Sequence, residues 1–271
     1  MTWTIVIGTV LALATILAGA LYHQWRLNER LRTQLDAAAV DLENLQQACS
    51  RLAPAGVVQR LVTDGAELET EPAAEHKVVT AMFVDLVGYT AISERLEPTV
   101  LVRVLNGYYE RMSDAIHEHR GQVGSFVGDG IVAYFGALQP NPWQCDDAVR
   151  AALAMRAAIR EYNAELEREG LPQIAEGIGI DRGPGVAGLV GSRERRQYAF
   201  IGRAVNLAAR LQVLSRVHQV DILVTEAVRA QLNMGFALTP MPAKPVKGLA
   251  EAVIAYAVVR ERSVEREPAV G

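Results

Sequence analysis

Residues 82–90 of the 271-residue chain read Met-Phe-Val-Asp-Leu-Val-Gly-Tyr-Thr. The apolar run predicts a strand over Val78–Val84 that ends at Asp85 and opens through Gly88 into a helix. A carboxylate at this point can hold Mg²⁺, and free amides at the helix start can hold phosphate oxygens. Because an Asp at a strand end is also a common helix cap, this stretch alone does not define a site.

A second motif follows at residues 126–136, which read Phe-Val-Gly-Asp-Gly-Ile-Val-Ala-Tyr-Phe-Gly. The pattern predicts a hairpin of strands Gln122–Val127 and Ile131–Phe135, since Asp-Gly favours a tight turn. If this hairpin flanks the first strand, Asp129 and Asp85 project from neighbouring strand ends. Two carboxylates placed in this way can share two metal ions, as in phosphoryl and nucleotidyl transfer.

A third motif, at residues 198–210, reads Tyr-Ala-Phe-Ile-Gly-Arg-Ala-Val-Asn-Leu-Ala-Ala-Arg and predicts a helix from about Arg203 to Ser215. Asn206 and Arg210 stand four residues apart, so they share one helix face. An amide that orients a ribose and a guanidinium that stabilises charge on a phosphate suit this spacing. On its own, however, the same pair is common on solvated helix faces.

The remaining pattern places these motifs in one mixed fold. Helices are predicted over Ile92–His119, with a break near Pro98, and over Asp146–Glu167. Further strands are predicted at Ile174–Ile180, Gly185–Leu189, Asp221–Val224 and Val253–Val259. The order β, α, β, β, α, β indicates a ferredoxin-like α+β sheet covered by helices.

The chain begins with a different kind of sequence. Residues 3–22 contain no Asp, Glu, Lys or Arg, and such a run is long enough to cross the roughly 30 Å hydrocarbon core of a bilayer as a helix. Arg26, Arg30 and Arg32 follow, so we expect a single-pass anchor in the cell (inner) membrane with the rest of the chain in the cytoplasm. A cleaved signal peptide is less favoured, because no Lys or Arg precedes the apolar run.

A heptad pattern follows the predicted anchor. Apolar residues recur in alternating steps of four and three at Leu31, Leu35, Ala38, Leu42, Leu45, Cys49 and Leu52. This spacing predicts a short parallel coiled coil, with an amphipathic helix lying on the following domain as the alternative. We therefore divide the chain into an anchor (1–25), a coiled-coil helix (26–53), a short helix and linker (54–76), a catalytic domain (77–260) and a flexible tail (261–271).

Composition excludes several classes of function. The net charge of −4 gives no basic surface for a nucleic acid, which a binding protein neutralises with Lys and Arg. The two cysteines, Cys49 and Cys145, lack the spacing of a zinc site or a disulfide framework.

Taken together and in this order, the three motifs resemble the class III adenylate and guanylate cyclase family, from about Val78 to Val259. The resemblance implies a homodimer that binds a nucleoside triphosphate, with two Mg²⁺ (or Mn²⁺) ions per active site on Asp85 and Asp129 of one protomer. It implies that Asn206 and Arg210 of the other protomer form the catalytic pair, and that residues 191–197 form a dimerisation arm. It also implies that the substrate phosphates contact Lys247, Gly88, Tyr89 and Thr90.

The sequence departs from the family at the positions that read the base. Family adenylate cyclases carry a Lys where this chain has Ser125, and an Asp or Thr where it has Ala199. Ser125 offers one hydroxyl and Ala199 no polar side-chain atom. We expect an adenylate cyclase that forms 3′,5′-cyclic AMP and pyrophosphate from ATP. The alternatives are a cyclase of other or relaxed base specificity and an inactive dimeric scaffold; a diguanylate cyclase is disfavoured because the hairpin lacks the Gly-Gly-Asp/Glu-Glu-Phe run.

Overall fold

The computed structural model divides the chain into two compact units, Met1–Gln59 and Arg60–Gly271. It describes residues 23–26, 28–35, 38, 40, 74–192, 196–233, 235–243 and 253–261. The predicted anchor at 3–22, most of the predicted coiled coil and Lys247 lie outside these ranges.

In the first unit, the described residues are helical and exposed. The Thr33 hydroxyl donates to the backbone carbonyls of Glu29 and Arg30, as expected within a helix. Leu31 and Leu35, two positions of the predicted heptad seam, are exposed in the single chain. No helix in the described part of the chain is long and apolar enough to cross a membrane. The coiled coil stays a prediction.

The second unit contains all the strands of the described chain. They are β1 (Glu75–Leu86), β2 (Gly121–Val127), β3 (Gly130–Phe135), β4 (Glu176–Gly191), β5 (Arg196–Gly202), β6 (Ile222–Thr225), β7 (Phe236–Pro240) and β8 (Ala255–Glu261). The helices of this unit are α1 (Tyr89–Ser93), α2 (Pro98–Glu118), α3 (Gln144–Arg168), α4 (Arg203–His218) and α5 (Glu226–Arg229).

One sheet joins these strands in the order β2-β3-β1-β4-β6-β8-β7, and β5 pairs with the second half of β4. Strand β1 lies between β3 and β4 and is antiparallel to both, while β4 and β6 are parallel. The first motif therefore occupies an inner strand of the sheet.

Side-chain alternation along β1 separates the core from the site. Met82, Val84 and Leu86 face the main hydrophobic core, which they share with buried residues of α2 and α3. Asp85 points to the opposite face of the sheet, where its carboxylate contacts a side chain of α4.

Helix α4 approaches β4 more closely than any side chain would allow. A Cβ added at Gly179 would lie 2.1 Å from the Ala208 carbonyl oxygen, and one at Gly177 would lie 2.6 Å from the Ser215 hydroxyl. Both contacts are far inside van der Waals distance. The two glycines therefore set the distance between α4 and the sheet.

Most sequence predictions of individual elements are confirmed within a few residues, including the hairpin, the break before Pro98 and the long third helix. One prediction is wrong: the two strands expected at 174–180 and 185–189 are the single strand β4. The expected break contains Pro184, which pairs with Val78 of β1. On its other edge, the described structure shows no partner between Ile180 and Gly185, so the missing proline N–H is tolerated there. Strands β5 and β7 and helix α5 were not predicted.

The close approach of α4 gives a matched pair of substitutions. Gly179→Ala should lower the free energy of unfolding by about 3 kcal/mol, because the added methyl group meets helix backbone that cannot move by itself. Gly183→Ala on the same strand should change it little, since its Cβ would lie 3.5 Å from the Ala204 Cβ, an ordinary contact. Urea unfolding followed by circular dichroism measures both. Equal losses in the two variants would contradict this account of the packing.

Candidate active site

The pairing of β1 with β3 brings the two predicted metal-binding aspartates together. Val84 is paired with Ile131, so Asp85 and the hairpin turn that carries Asp129 lie at the same end of neighbouring strands. Gly128 in this turn has φ of +61°, a conformation that favours glycine. The structure thus places both carboxylates as the sequence predicted.

A tyrosine that was not singled out from the sequence supports the turn. The Tyr109 hydroxyl of α2 donates a hydrogen bond of 2.5 Å to the Gly128 carbonyl. Its ring also packs against that of Phe126, with 4.7 Å between ring centroids. Tyr109 therefore fixes the turn residue that precedes Asp129.

The electrostatics of the acid pair are unfavourable without a cation. The pKa of Asp85 is raised to about 6, first by burial and then by the charge and hydrogen bonding of the neighbouring Asp129, while Arg216 opposes this shift. Two carboxylates in such contact repel each other when both are ionised. A cation placed between them removes this repulsion.

Arg216 of α4 supplies a positive charge at this point. One guanidinium nitrogen donates to the Asp85 Oδ2 atom at 2.6 Å and to the Leu86 carbonyl oxygen at 2.8 Å. Carboxylate and carbonyl oxygens are also the ligands that hard divalent cations prefer. The acid pair and this carbonyl therefore offer oxygen ligands that fit a divalent metal ion, and the Arg216 guanidinium would compete with such an ion for Asp85. From sequence, Arg216 is only a basic residue near a helix C-terminus.

The predicted catalytic pair lies on another face of the same helix. Asn206 is exposed and Arg210 is half-buried, and the described contacts include no hydrogen bond or ion pair from either residue to Asp85 or Asp129. Their face continues to Val213 and Val217, whose exposed fractions are 56% and 53%. An exposed face that combines this polar pair with apolar side chains is typical of a surface covered by another molecule.

The remaining predicted site residues are those expected to contact the base and the phosphates of the substrate. Ser125 on β2 and Ala199 on β5 are both half-buried, and the two strands are near neighbours. Gly88 has φ of +72° and caps α1 directly after β1. Phosphate binding by the Gly88, Tyr89 and Thr90 amides stays a prediction, as does the role of Lys247, which lies outside the described residues.

Comparison with known proteins agrees with this geometry. The sequence pattern of the adenylate and guanylate cyclase catalytic domain matches residues 71–260. An adenylate cyclase of Anabaena cylindrica is 32% identical over 92% of this chain and 52% of its own length. Adenylate cyclase 1 of Rhizobium meliloti is 33% identical over 69% of this chain and 28% of its own length. The chain thus spans about half, or less, of these curated relatives.

Solved structures show the same fold. The adenylyl cyclase CyaB from P. aeruginosa superimposes with a TM-score of 0.66 and 28% identity, over 71% of this chain and 98% of that one. The guanylyl cyclase Cya2 gives a TM-score of 0.64 and 28% identity, over 72% and 98%. The mixed α+β domain is a nucleotidyl cyclase catalytic domain. The chain belongs to the class III adenylate and guanylate cyclase family.

Metal binding tests the roles of the acid pair and Arg216. Titration of the full chain with Mn²⁺ at pH 8, followed by electron paramagnetic resonance, should show at least tenfold weaker binding in Asp129→Asn. Arg216→Met should instead bind Mn²⁺ about fivefold more tightly, because a partly exposed ion pair of about 1 kcal/mol no longer competes with the metal. Arg229→Met, which removes an exposed pair with Glu226 on α5, is the control. Weaker binding in Arg216→Met would show that the guanidinium assists the metal rather than competing with it.

Proposed function

We propose that this protein is an adenylate cyclase that forms 3′,5′-cyclic AMP and pyrophosphate from ATP in a homodimer, with two Mg²⁺ or Mn²⁺ ions per site. The observation that carries the proposal is the Asp85–Asp129 pair at adjacent strand ends of a cyclase domain, where Asp85 contacts the Arg216 guanidinium. The two curated relatives described above, from Anabaena cylindrica and Rhizobium meliloti, are both named adenylate cyclases, which supports the choice of adenine.

The reaction requires few groups from the protein. The ribose 3′-oxygen attacks the α-phosphorus, the bond to the bridging oxygen of the β-phosphate breaks, pyrophosphate leaves with the electron pair, and the hydroxyl proton passes to solvent. Bound divalent ions lower the pKa of the attacking hydroxyl and neutralise charge on the phosphates. Asp85 and Asp129 would hold these ions, while Asn206 would orient the ribose and Arg210 would donate hydrogen bonds to the α-phosphate oxygens.

The positions of these groups support a dimer. Within one chain, the described structure leaves Asn206 and Arg210 on an exposed face of α4, apart from the acid pair. Val213 and Val217 extend that face, and Phe126 and Val127 expose apolar side chains beside the turn that carries Asp129. A second copy that covers these side chains would bring its Asn206 and Arg210 to the acid pair. Each homodimer would then contain two equivalent sites.

The N-terminal segments have roles in this proposal. Residues 3–22 would anchor the chain in the lipid bilayer of the cell membrane, with the catalytic domain in the cytoplasm. The heptad seam would hold two protomers parallel and raise their effective local concentration. Homodimerisation would therefore not depend on the catalytic domain alone.

Product identification tests the reaction and its base. The full chain, incubated with Mg²⁺ or Mn²⁺ and each of the four ribonucleoside triphosphates, should form cyclic AMP and pyrophosphate from ATP. Ser125 and Ala199 offer fewer hydrogen bonds than the residues that family adenylate cyclases carry at these positions. We therefore expect a high KM for ATP, and a discrimination between bases that is one to a few orders of magnitude weaker than in an enzyme with the family residues. Asp85→Asn is the inactive control.

Two results would redirect the assignment. Sharp selectivity for another base would reject the assignment as an adenylate cyclase but retain the assignment as a nucleotidyl cyclase. The absence of any cyclic product from a folded, metal-binding dimer would instead favour the inactive scaffold.

Mixing two inactive variants tests the composite site. Asp85→Asn and Arg210→Ala should each be inactive as homodimers, whereas a heterodimer retains one intact site. After random exchange of equal amounts, we expect about a quarter of the wild-type activity, since half of the dimers carry one working site of two. Heterodimers that form, as shown by differently tagged subunits, but stay inactive would contradict a site shared between protomers.

A further inference from the structure

A basic pocket lies on α3 and the end of β8, away from the acid pair. Its volume is about 470 Å³, and its lining includes four arginines, Arg150, Arg156, Arg160 and Arg260, with one carboxylate, Glu261. Helix α3 packs on the core face of the sheet, whereas Asp85 faces α4 on the other side. The pocket is therefore separate from the proposed substrate site.

Two of the four arginines are already bound within the protein. The Arg150 guanidinium pairs with Glu261 at 3.0 Å. Arg156 donates to Asp221 at 2.7 Å, and also to the carbonyl oxygens of Val258 and Val259. These contacts hold the wall of the pocket in place.

The other two arginines have no such partner. Arg160 and Arg260 are exposed, and neither side chain makes a hydrogen bond or ion pair within the part of the chain that the structure describes. The pocket thus has a surplus of positive charge in a protein whose net charge is −4. A concave surface concentrates such a field and attracts anions.

We propose that this pocket binds the phosphate group of a small soluble phosphorylated compound. Guanidinium groups bind phosphate through paired N–H donors, and a phosphate offers more acceptor oxygens and charge than a carboxylate. The pocket is also larger than a phosphate ion needs. Part of its wall is apolar and is formed by Leu153, Ala154 and Val259. The ligand therefore carries a non-polar part beside its phosphate.

The chain's own C-terminal tail is a poorer occupant. Residues 262–271, which follow Glu261 directly, contain Arg262 and Arg266 against Glu265 and Glu267. This segment has no net charge from its side chains to complement a basic pocket. A phospholipid headgroup shares the phosphate chemistry, so the experiment must separate a soluble ligand from a lipid.

Calorimetric titration of the full chain tests the site. Inorganic pyrophosphate in metal-free buffer should bind the wild type, and the double variant Arg160→Glu/Arg260→Glu should bind it at least tenfold more weakly. Arg168→Glu, an exposed arginine farther along α3, makes half of this change of charge outside the pocket and should leave the affinity unchanged. Circular dichroism verifies that each variant is folded.

Two further measurements complete the test. Arg160→Lys/Arg260→Lys keeps the charge but loses the paired donors, and should retain only part of the affinity. A soluble short-chain phosphatidic acid, titrated in parallel, identifies a lipid source: if it binds through Arg160 and Arg260 while pyrophosphate does not, a soluble ligand is excluded. Equal pyrophosphate affinity in the wild type and in the double Glu variant would overturn the proposal.

Discussion

The contact between α4 and β4 sets the geometry on which the site depends. At Gly177 and Gly179 the helix lies directly on the strand, because a Cβ at Gly179 would meet helix backbone and one at Gly177 would meet the Ser215 hydroxyl. A helix held this closely has little freedom to slide or rotate on the sheet. Its other faces are therefore fixed in direction by two residues that have no side chain of their own.

This fixed orientation gives α4 two separate functional faces. With about 100° of rotation per residue, Asn206 and Arg210 lie about 40° apart, whereas Arg216 lies about 80° from Asn206 on its other side. Arg216 contacts the acid pair of its own chain, and the other two residues face outward. In the proposed homodimer, each α4 would touch the metal site of one protomer and the substrate of the other. One rigid helix would then connect the two active sites.

The features that could be predicted from the sequence are those determined by interactions between residues close together in the chain. The strand before Asp85, the hairpin around Asp129 and the spacing of Asn206 and Arg210 are short-range patterns, and the structure contains all three. Arg216 could not be identified in the same way, because its partner Asp85 is remote in sequence. Glu176 is a second example: it reads as a polar strand residue, yet it pairs with Leu86 on the core face, and burial raises its pKa to about 8. The continuity of β4 across Pro184 likewise depends on β1, which no local rule includes.

The acid pair is best explained by function, because it does not benefit folding. Asp85 lies in contact with a second carboxylate and is partly withdrawn from water, and both effects oppose its ionisation. Arg216 neutralises one of the two charges and leaves Asp129 without a described ion pair. Replacing Asp129 with a neutral residue of similar size would remove the repulsion without breaking any ion pair that the structure describes. The hairpin turn held by Tyr109 and the helix held by Gly177 and Gly179 instead keep the carboxylates together, as a binding site for cations requires.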